Sequence, residues 1–166
     1  MYYINNFFIF SILGYIMENI TYLILNTKEN SGIMYGPYTP VYGIGIIIVI
    51  IIYNNIKNTK LSKFNKVLLI FLISTILLTI IEYIGGITIE FFFHKRFWNY
   101  EKLLFNIGHY IALEISLIWG LCSIIYIVLI KSFTDKLAKK IPYYITINIM
   151  VLFIIDLIVT IINNIK

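Results

Sequence analysis

The sequence contains few of the residues that crosslink, kink or charge a soluble protein. Among its 166 residues there are one cysteine and three prolines, and only 13% of the residues are charged. A single cysteine, Cys122, excludes an intramolecular disulfide framework and a metal site built on several thiolates. The phosphate-binding pattern G-x-x-x-x-G-K-[ST] is also missing, so the chain cannot bind ATP as a P-loop protein.

Apolar residues dominate the composition. They make up 60% of the chain, and the mean hydropathy is +0.90. A soluble chain of this size could not bury so much apolar surface, so lipid must be part of its solvent. The net charge of +5 could indicate a nucleic-acid partner, but the lysines lie in short clusters between apolar runs, as in membrane-protein loops. The composition therefore predicts a lipid bilayer as partner, and no nucleic acid.

Five apolar segments are long enough, or nearly so, to cross a bilayer core about 30 Å thick. The start of the chain, "MYYINNFFIF", lacks a basic region and a cleavage site, so we interpret it as a retained first helix. Open strand edges cannot be satisfied in lipid, which favours helices. We predict an all-α polytopic bundle in a single transmembrane domain (1–166), with a Gly/Pro-rich break at the start of the second span. The predicted spans are about 3–25, 38–55, 67–93, 108–130 and 143–162.

The basic residues between these spans predict an orientation. Five spans place alternate connections on opposite faces of the membrane, and the count of Lys and Arg is 8 on one face and 5 on the other. Because cytoplasmic loops carry the excess of positive charge, the first face is predicted to be cytoplasmic, as is the N-terminus. The face with 8 carries Lys57, Lys60, Lys63, Lys66, Lys131, Lys136, Lys139 and Lys140, and the face with 5 carries Lys28, Lys95, Arg96, Lys102 and Lys166.

Acidic residues within the apolar spans are the main candidates for a functional site. No lysine or arginine falls deep within a span, and an unpaired buried acid is costly unless it is protonated, hydrated or bound to a cation. Either the acids are protonated and only hydrogen-bond the helices together, or they line a polar cavity. Their positions along the spans put all of them in the same half of the bilayer. We expect Glu18, Glu82 and Glu114 to share a cavity, with Glu82 most central and Asp156 also a candidate for binding a substrate or ion.

The segment "SGIMYGPYTPVYGIG" interrupts the apolar sequence just before the second span. Pro37 and Pro40 suit the first turn of a helix, and Gly36 and Gly43 permit close approach of neighbouring backbone. A helix that starts here would point its N-terminal amides at the acid-rich half. The segment is either partly unwound and re-entrant, lining a cavity, or a plain turn with interfacial tyrosines.

Aromatic and small residues complete the candidate site. Ala112, Ser116 and Gly120 form a small-xxx-small ridge that predicts close helix packing. Thr75, Thr79, Glu82, Gly86 and Glu90 lie on one stripe of the third span. Further candidates for binding are Tyr42, Trp98 and Tyr100, and further candidates for a structural role are Gly85 and Gly86.

Several stretches of the chain resemble one family of small bacterial membrane proteins, the "Putative ABC-transporter type IV" permeases, which are CmpB-like. The resembling stretches are "GYIMEN" (14–19), "GIMYGPYTPVYGIG" (32–45), "IEYIGG" (81–86), "FWNY" (97–100) and "FNIGHYIALEISLIWG" (105–120). The chain has Asn99 where the family pattern has aspartate, which removes a charge at that position. The resemblance implies transport in the bacterial cell membrane, with a separate ATPase or another membrane subunit as partner.

Three functions remain as alternatives. The first is a transporter permease or permease-like subunit whose acid-lined cavity admits a proton, a cation or a cationic solute. The second is a non-transporting assembly or regulatory module whose acids pair with a partner's bases. The third is an intramembrane enzyme acting on lipid, which we rank last because His94 and His109 are isolated and no nucleophile–base pair or metal-ligand set is evident. No cofactor or metal is predicted, and formation of a homo-oligomer is left open.

The predicted topology can be tested by cysteine labelling in a Cys122→Ser background. Single cysteines at Lys60 and Lys136 should react only with reagents that reach the cytoplasmic face. Cysteines at Tyr38 and Trp98 should react with impermeant reagents from outside. Labelling of positions 60 and 38 from the same face would contradict the five-span arrangement.

Overall fold

The structure, a computed structural model, describes residues 1–24, 26 and 32–164. Helices account for 77% of the chain, which confirms the predicted all-α bundle. The helices are α1 (Tyr2–Ile24), α2 (Pro40–Ile56), α3 (Lys63–Phe93), α4 (Leu113–Ile125), α5 (Lys131–Lys140) and α6 (Tyr143–Asn164).

Four helices of the described residues are long and apolar enough to cross a membrane. They are α1, α3, α6 and the continuous helix Leu113–Lys140, in which a π-helical turn, Tyr126–Ile130, joins α4 to α5. Helix α2 has 17 residues and is shorter, about 26 Å at 1.5 Å per residue. The number of spans and the orientation stay predictions. Of the charged residues behind the orientation, Lys28 and Lys166 lie outside the described residues.

The structure places two helix starts differently from the sequence prediction. Helix α3 begins at Lys63 instead of residue 67, because the hydroxyl of Ser62 caps it by accepting a hydrogen bond from the Asn65 amide at 3.2 Å. The fourth helix begins at Leu113 instead of residue 108. The residues before it form a short antiparallel hairpin, with β1 at Asn106–Ile107 and β2 at Ile111–Ala112.

The chain divides into two compact units, which are described separately. The central unit, Gly45–Phe133, contains most of α2, all of α3 and α4, and the hairpin. Here α4 packs on α3 at Gly120, where an added Cβ would meet Phe71 ring carbons at 2.8 and 3.0 Å and would also overlap Thr75. Gly120, one residue of the predicted ridge, therefore lies in this packing surface, whereas Ala112 belongs to β2. Ile52, Ile56 and Ile70 form a buried cluster that ties α2 to α3.

The terminal unit combines Met1–Ile44 with Thr134–Lys166. Its core contains four aromatic rings in edge-to-face contact, at centroid distances from 5.2 to 6.3 Å. Near the start of α1, the Asn5 side chain donates to the Ala138 carbonyl at 2.7 Å and accepts from the Thr146 hydroxyl at 2.6 Å. These contacts hold α1 against the turn between α5 and α6. The four rings are those of Phe7, Phe8, Tyr38 and Phe153.

Gly43 lets the first turn of α2 lie directly on α1. A Cβ at Gly43 would stand 2.6 Å from the Phe7 carbonyl oxygen and would also overlap the Ser11 hydroxyl, whereas a Cβ at Gly45 would meet only a Leu78 methyl at 3.4 Å. Backbone cannot move aside as a flexible side chain can. We expect Gly43→Ala to lower the melting temperature in detergent, with overpacking costing about 1–3 kcal/mol.

The matched variant is Gly45→Ala, because it adds the same methyl group to the same helix. Alanine is favoured over glycine in a helix by about 1 kcal/mol, so this variant should melt at or above the wild-type temperature. Equal melting of the two variants would show that the contact at Gly43 is unimportant.

Candidate functional site

Glu82 is the most enclosed acidic side chain of the central unit. It lies on α3 and is only 5% exposed. One carboxyl oxygen, Oε1, accepts a hydrogen bond from the Tyr100 hydroxyl at 3.0 Å, and Oε2 accepts one from the Trp119 indole at 3.0 Å. Neither donor carries a charge. Among the residues described, no lysine, arginine or histidine forms an ion pair with Glu82.

Both donors are positioned by local structure. Trp119 projects from α4, which packs along α3. Tyr100 lies in the loop between α3 and α4, where its amide donates to the His109 carbonyl at 2.8 Å. One helical turn beyond Glu82, Gly86 has no room for a Cβ, because the ring of Tyr110 lies against its backbone. The loop is therefore seated closely on α3 next to Glu82.

Glu90, two turns beyond Glu82, belongs to a second, more exposed polar cluster. Its Oε1 accepts from Arg96 Nε at 2.6 Å, and its Oε2 accepts from the Tyr110 hydroxyl at 2.5 Å. Arg96 in turn lies 3.4 Å from Nδ1 of His109, which is 2.7 Å from a Glu101 carboxylate oxygen. The cluster thus links the end of α3 to the loop on both sides of Tyr100.

Hydrogen bonding and charge in this loop favour the ionised forms of its side chains. The Asn99 amide donates to Glu101 at 3.0 Å and lowers the pKa of that carboxyl group, and the positive charges of His109 and Arg96 act in the same direction. The hydrogen bond to Glu90 raises the pKa of Arg96 above its ordinary value. Asn99 therefore acts as a donor to a neighbouring acid.

Among the described residues, Glu114 is not one of the hydrogen-bond partners of Glu82. Glu114 is exposed and stands in the first turn of α4. The sequence placed it deeper because residues 108–112 were expected to be helical, whereas they belong to the hairpin. Glu18 lies in the terminal unit and is half-buried. The predicted cavity shared by Glu18 and Glu82 stays a prediction.

In the terminal unit, Asp156 is joined to the Gly/Pro segment. Its Oδ2 accepts from the Gly36 amide at 2.8 Å, and its Oδ1 accepts from the Tyr35 amide at 3.1 Å and is 3.3 Å from the Thr160 hydroxyl. The sequence expected amides at the start of α2 to point toward acids, and here the amides belong to the segment that precedes that helix. An open groove of about 420 Å³ adjoins the carboxylate. It is lined by Tyr35, Gly36, Pro37, Tyr38, Leu152, Ile155, Asp156 and Val159.

The other candidate residues have different surroundings. The ring of Tyr42 lies against Gly14, so its observed role is in packing α2 on α1. The ring of Trp98 stands edge-to-face with Tyr110 at 5.8 Å, and its buried indole nitrogen has no hydrogen-bond partner among the described residues. Pro40 is the first residue of α2, whereas Pro37 precedes the helix and lines the groove. At Gly85, no described residue outside the adjoining turns of α3 lies within 4 Å of an added Cβ.

Sequence reasoning missed Trp119 as a partner of Glu82. One signal was present, because an indole N–H inside an apolar span requires an acceptor and Glu82 was the most central acid. Nothing in the sequence specified which helix would supply the second donor. The cluster of Arg96, Glu101 and His109 was also missed, because its members are close only after the hairpin forms.

The two tryptophans of the chain provide a direct test of the Glu82 geometry. In a Trp98→Phe variant, Trp119 is the sole tryptophan, and its indole is bonded to the Glu82 carboxyl group. Its emission should change as Glu82 gains or loses a proton, and adding Glu82→Gln should abolish that change. A pH-dependent emission that persists in the Glu82→Gln background would contradict the hydrogen bond.

Comparison with known proteins places the chain in a family. No curated protein and no solved structure matches it. The family described as "Putative ABC-transporter type IV" matches residues 5–161, nearly the whole chain. Together with the apolar helices long enough to span a bilayer, this match shows that the chain is a membrane protein belonging to that family.

Proposed function

We propose that the protein is a permease-like subunit of the bacterial cell membrane that passes a proton or a small cation by way of Glu82. The site would belong to an acid-lined polar cavity in the outer half of the bilayer, with the N-terminus in the cytoplasm. The observation that carries the proposal is the Glu82 carboxyl group, 5% exposed and held by two neutral donors.

The chemistry of those donors suits a site that must exchange its ligand. A salt bridge to lysine or arginine would neutralise the carboxylate permanently and leave little affinity for another cation. The Tyr100 hydroxyl and the Trp119 indole orient the carboxyl group without neutralising it. The charge of Glu82 is then compensated by a proton or by a bound cation, either of which can leave. Intramembrane acids of this kind mark proton and ion pathways in transporters.

The loop between α3 and α4 offers a route from water to Glu82. Tyr100 belongs to this loop, so the same element that contacts Glu82 also reaches the more exposed cluster around Glu90. The side chains of Glu90 and Glu101 are 37% and 51% exposed. A cation that approaches from this side would pass these two carboxylates, which are paired with Arg96 and His109, before it reaches the carboxyl group of Glu82, which has no ion-pair partner among the described residues.

The source of energy would be a separate protein. The chain lacks a P-loop, and the description of its family names ABC transporters, which favours an ATPase as partner. The loop and helix ends that carry lysine would face such a partner in the predicted orientation. We take the chain itself to be non-enzymatic.

One observation favours a second function, that of an assembly module. Glu114 is exposed on α4 beside Leu113, Leu117 and Ile118, which are also exposed. An acid on an apolar, membrane-facing surface could pair with a base on a partner's helix. In that case Glu114, and not Glu82, would be the residue on which function depends.

The test compares Glu82→Gln with Glu114→Gln in proteoliposomes that contain a dye sensitive to pH or to sodium and are driven by a potassium diffusion potential. The permease proposal predicts that Glu82→Gln reduces proton or sodium flux at least tenfold while the protein still inserts and elutes as wild type. Glu114→Gln should retain wild-type flux. Glutamine preserves the shape and one acceptor of Glu82, so loss of flux would reflect the lost acid.

The opposite pattern would overturn the proposal. Wild-type flux in Glu82→Gln, or loss of complex formation in Glu114→Gln alone, would favour the assembly module. Should Glu82→Gln fail to fold, Trp119→Phe removes one donor and leaves the acid in place. That variant should alter the pH dependence of the flux.

A further inference from the structure

We propose that the groove beside Asp156 is a second binding site, for a net-cationic amphiphile that carries an ammonium head on an alkyl chain. The inference comes from the terminal unit alone and does not depend on the role of Glu82. It rests on the contacts of Asp156, the lining of the groove and the charges that the groove lacks.

The Asp156 carboxylate is held rigidly by donors. Both of its oxygens accept from backbone amides, those of Tyr35 and Gly36, and the Thr160 hydroxyl lies within 3.3 Å of one of them. An ionised carboxylate only accepts hydrogen bonds, and all of these partners can donate. The arrangement therefore suits a carboxylate anion whose position is fixed before a ligand arrives.

Gly36 is what allows the backbone to approach this closely. A Cβ at that position would stand 2.7 Å from Oδ2 of Asp156 and 2.9 Å from the ring of Tyr38. The turn is closed on the other side by the Tyr38 amide, which donates to the Gly36 carbonyl at 2.8 Å. Gly36 therefore allows two backbone amides to lie against one carboxylate.

Within the part of the chain that the structure describes, the negative charge of Asp156 has no compensating base. In the ranges 1–24 and 32–164, no lysine, arginine or histidine forms an ion pair with it. The residues that line the groove are aromatic, aliphatic, glycine or proline apart from the aspartate itself. A ligand with an ammonium group would supply the missing positive charge, and the tyrosine rings at residues 35 and 38 offer further attraction for a cation.

The remaining wall of the groove selects for an alkyl chain. Leu152, Ile155 and Val159 form an apolar face on α6, next to Asp156 on the same helix. The volume of about 420 Å³ lies within the range of small-molecule sites. A zwitterionic phospholipid would bring a phosphate for which the lining residues hold no base. A ligand with net positive charge is therefore favoured over the bulk lipid.

The experiment measures binding of n-octylammonium to the purified full-length protein in nanodiscs of zwitterionic lipid, by calorimetry. n-Octanol and octanoate serve as neutral and anionic probes of the same length. Octylammonium should bind at least tenfold more tightly than octanol, because a hydrogen bond to a charged group contributes more than one between neutral groups. Octanoate should bind more weakly than either.

Two variants and two matched controls locate the site. Asp156→Asn removes the charge and Val159→Phe fills the groove, and each should weaken octylammonium binding at least tenfold. Asp135→Asn removes an acid elsewhere in the same unit, and Ile158→Phe enlarges the neighbouring residue, which does not line the groove. Both controls should bind as the wild type does.

Equal affinity for octylammonium and octanol, or unchanged binding by Asp156→Asn, would overturn the proposal and leave a groove occupied by lipid chains. If Asp156→Asn fails to fold, two other measurements test the proposal. These are the preference of the wild type for octylammonium over octanol, and the contrast between Val159→Phe and Ile158→Phe. Loss of either difference would overturn the proposal as well.

Discussion

A polar group within an apolar, membrane-spanning chain has to find its partner in the protein, because lipid offers none. This constraint explains the irregular parts of both units. Glu82 binds the loop between α3 and α4 by a hydrogen bond from the Tyr100 hydroxyl. Asp156 binds the Gly/Pro segment to α6 by hydrogen bonds from two backbone amides. In each case an acid on a regular helix determines where a non-helical stretch of backbone lies.

In this fold, the hydrogen bonds of the acidic side chains depend on close packing at glycines. Gly86 lets Tyr110 lie on α3, and Tyr110 then reaches Glu90 with its hydroxyl. Gly36 lets the backbone reach Asp156 in the same way. In both places a missing side chain permits a hydrogen bond that a larger residue would prevent, so the contacts of these acids depend on the glycines.

The two acids differ in the kind of ligand that their surroundings favour. Glu82 is enclosed and accepts hydrogen bonds from two neutral side chains, which favours something as small as a proton or a bare cation. Asp156 borders an open groove with an apolar wall, which favours a larger ligand with an alkyl portion. The two proposals therefore concern ligands of different size and can fail independently.

The sequence by itself determined the membrane environment, the helical class and the positions of most helices, because these follow from composition and from the length of apolar runs. Family membership could also be recognised from short motifs such as "MYGPYTP". The sequence also identified Glu82 as the central acid, Tyr100 as a candidate binding residue and Gly120 as a packing residue. Each was identified from its position along its own helix or loop.

Only the tertiary structure decided which side chains meet. The hairpin at residues 106–112 moved the start of the fourth helix to Leu113 and placed Glu114 in its first turn, an outcome that depends on pairing between two strands of two residues each. Trp119 became a partner of Glu82, and Asp156 of the Gly36 amide, across 37 and 120 residues of sequence. Hydropathy indicates how deep in the membrane a residue lies. The hydrogen-bond partners of a buried acid depend instead on the rotation of each helix and on the path of each loop. Both are determined by the packing of the whole unit.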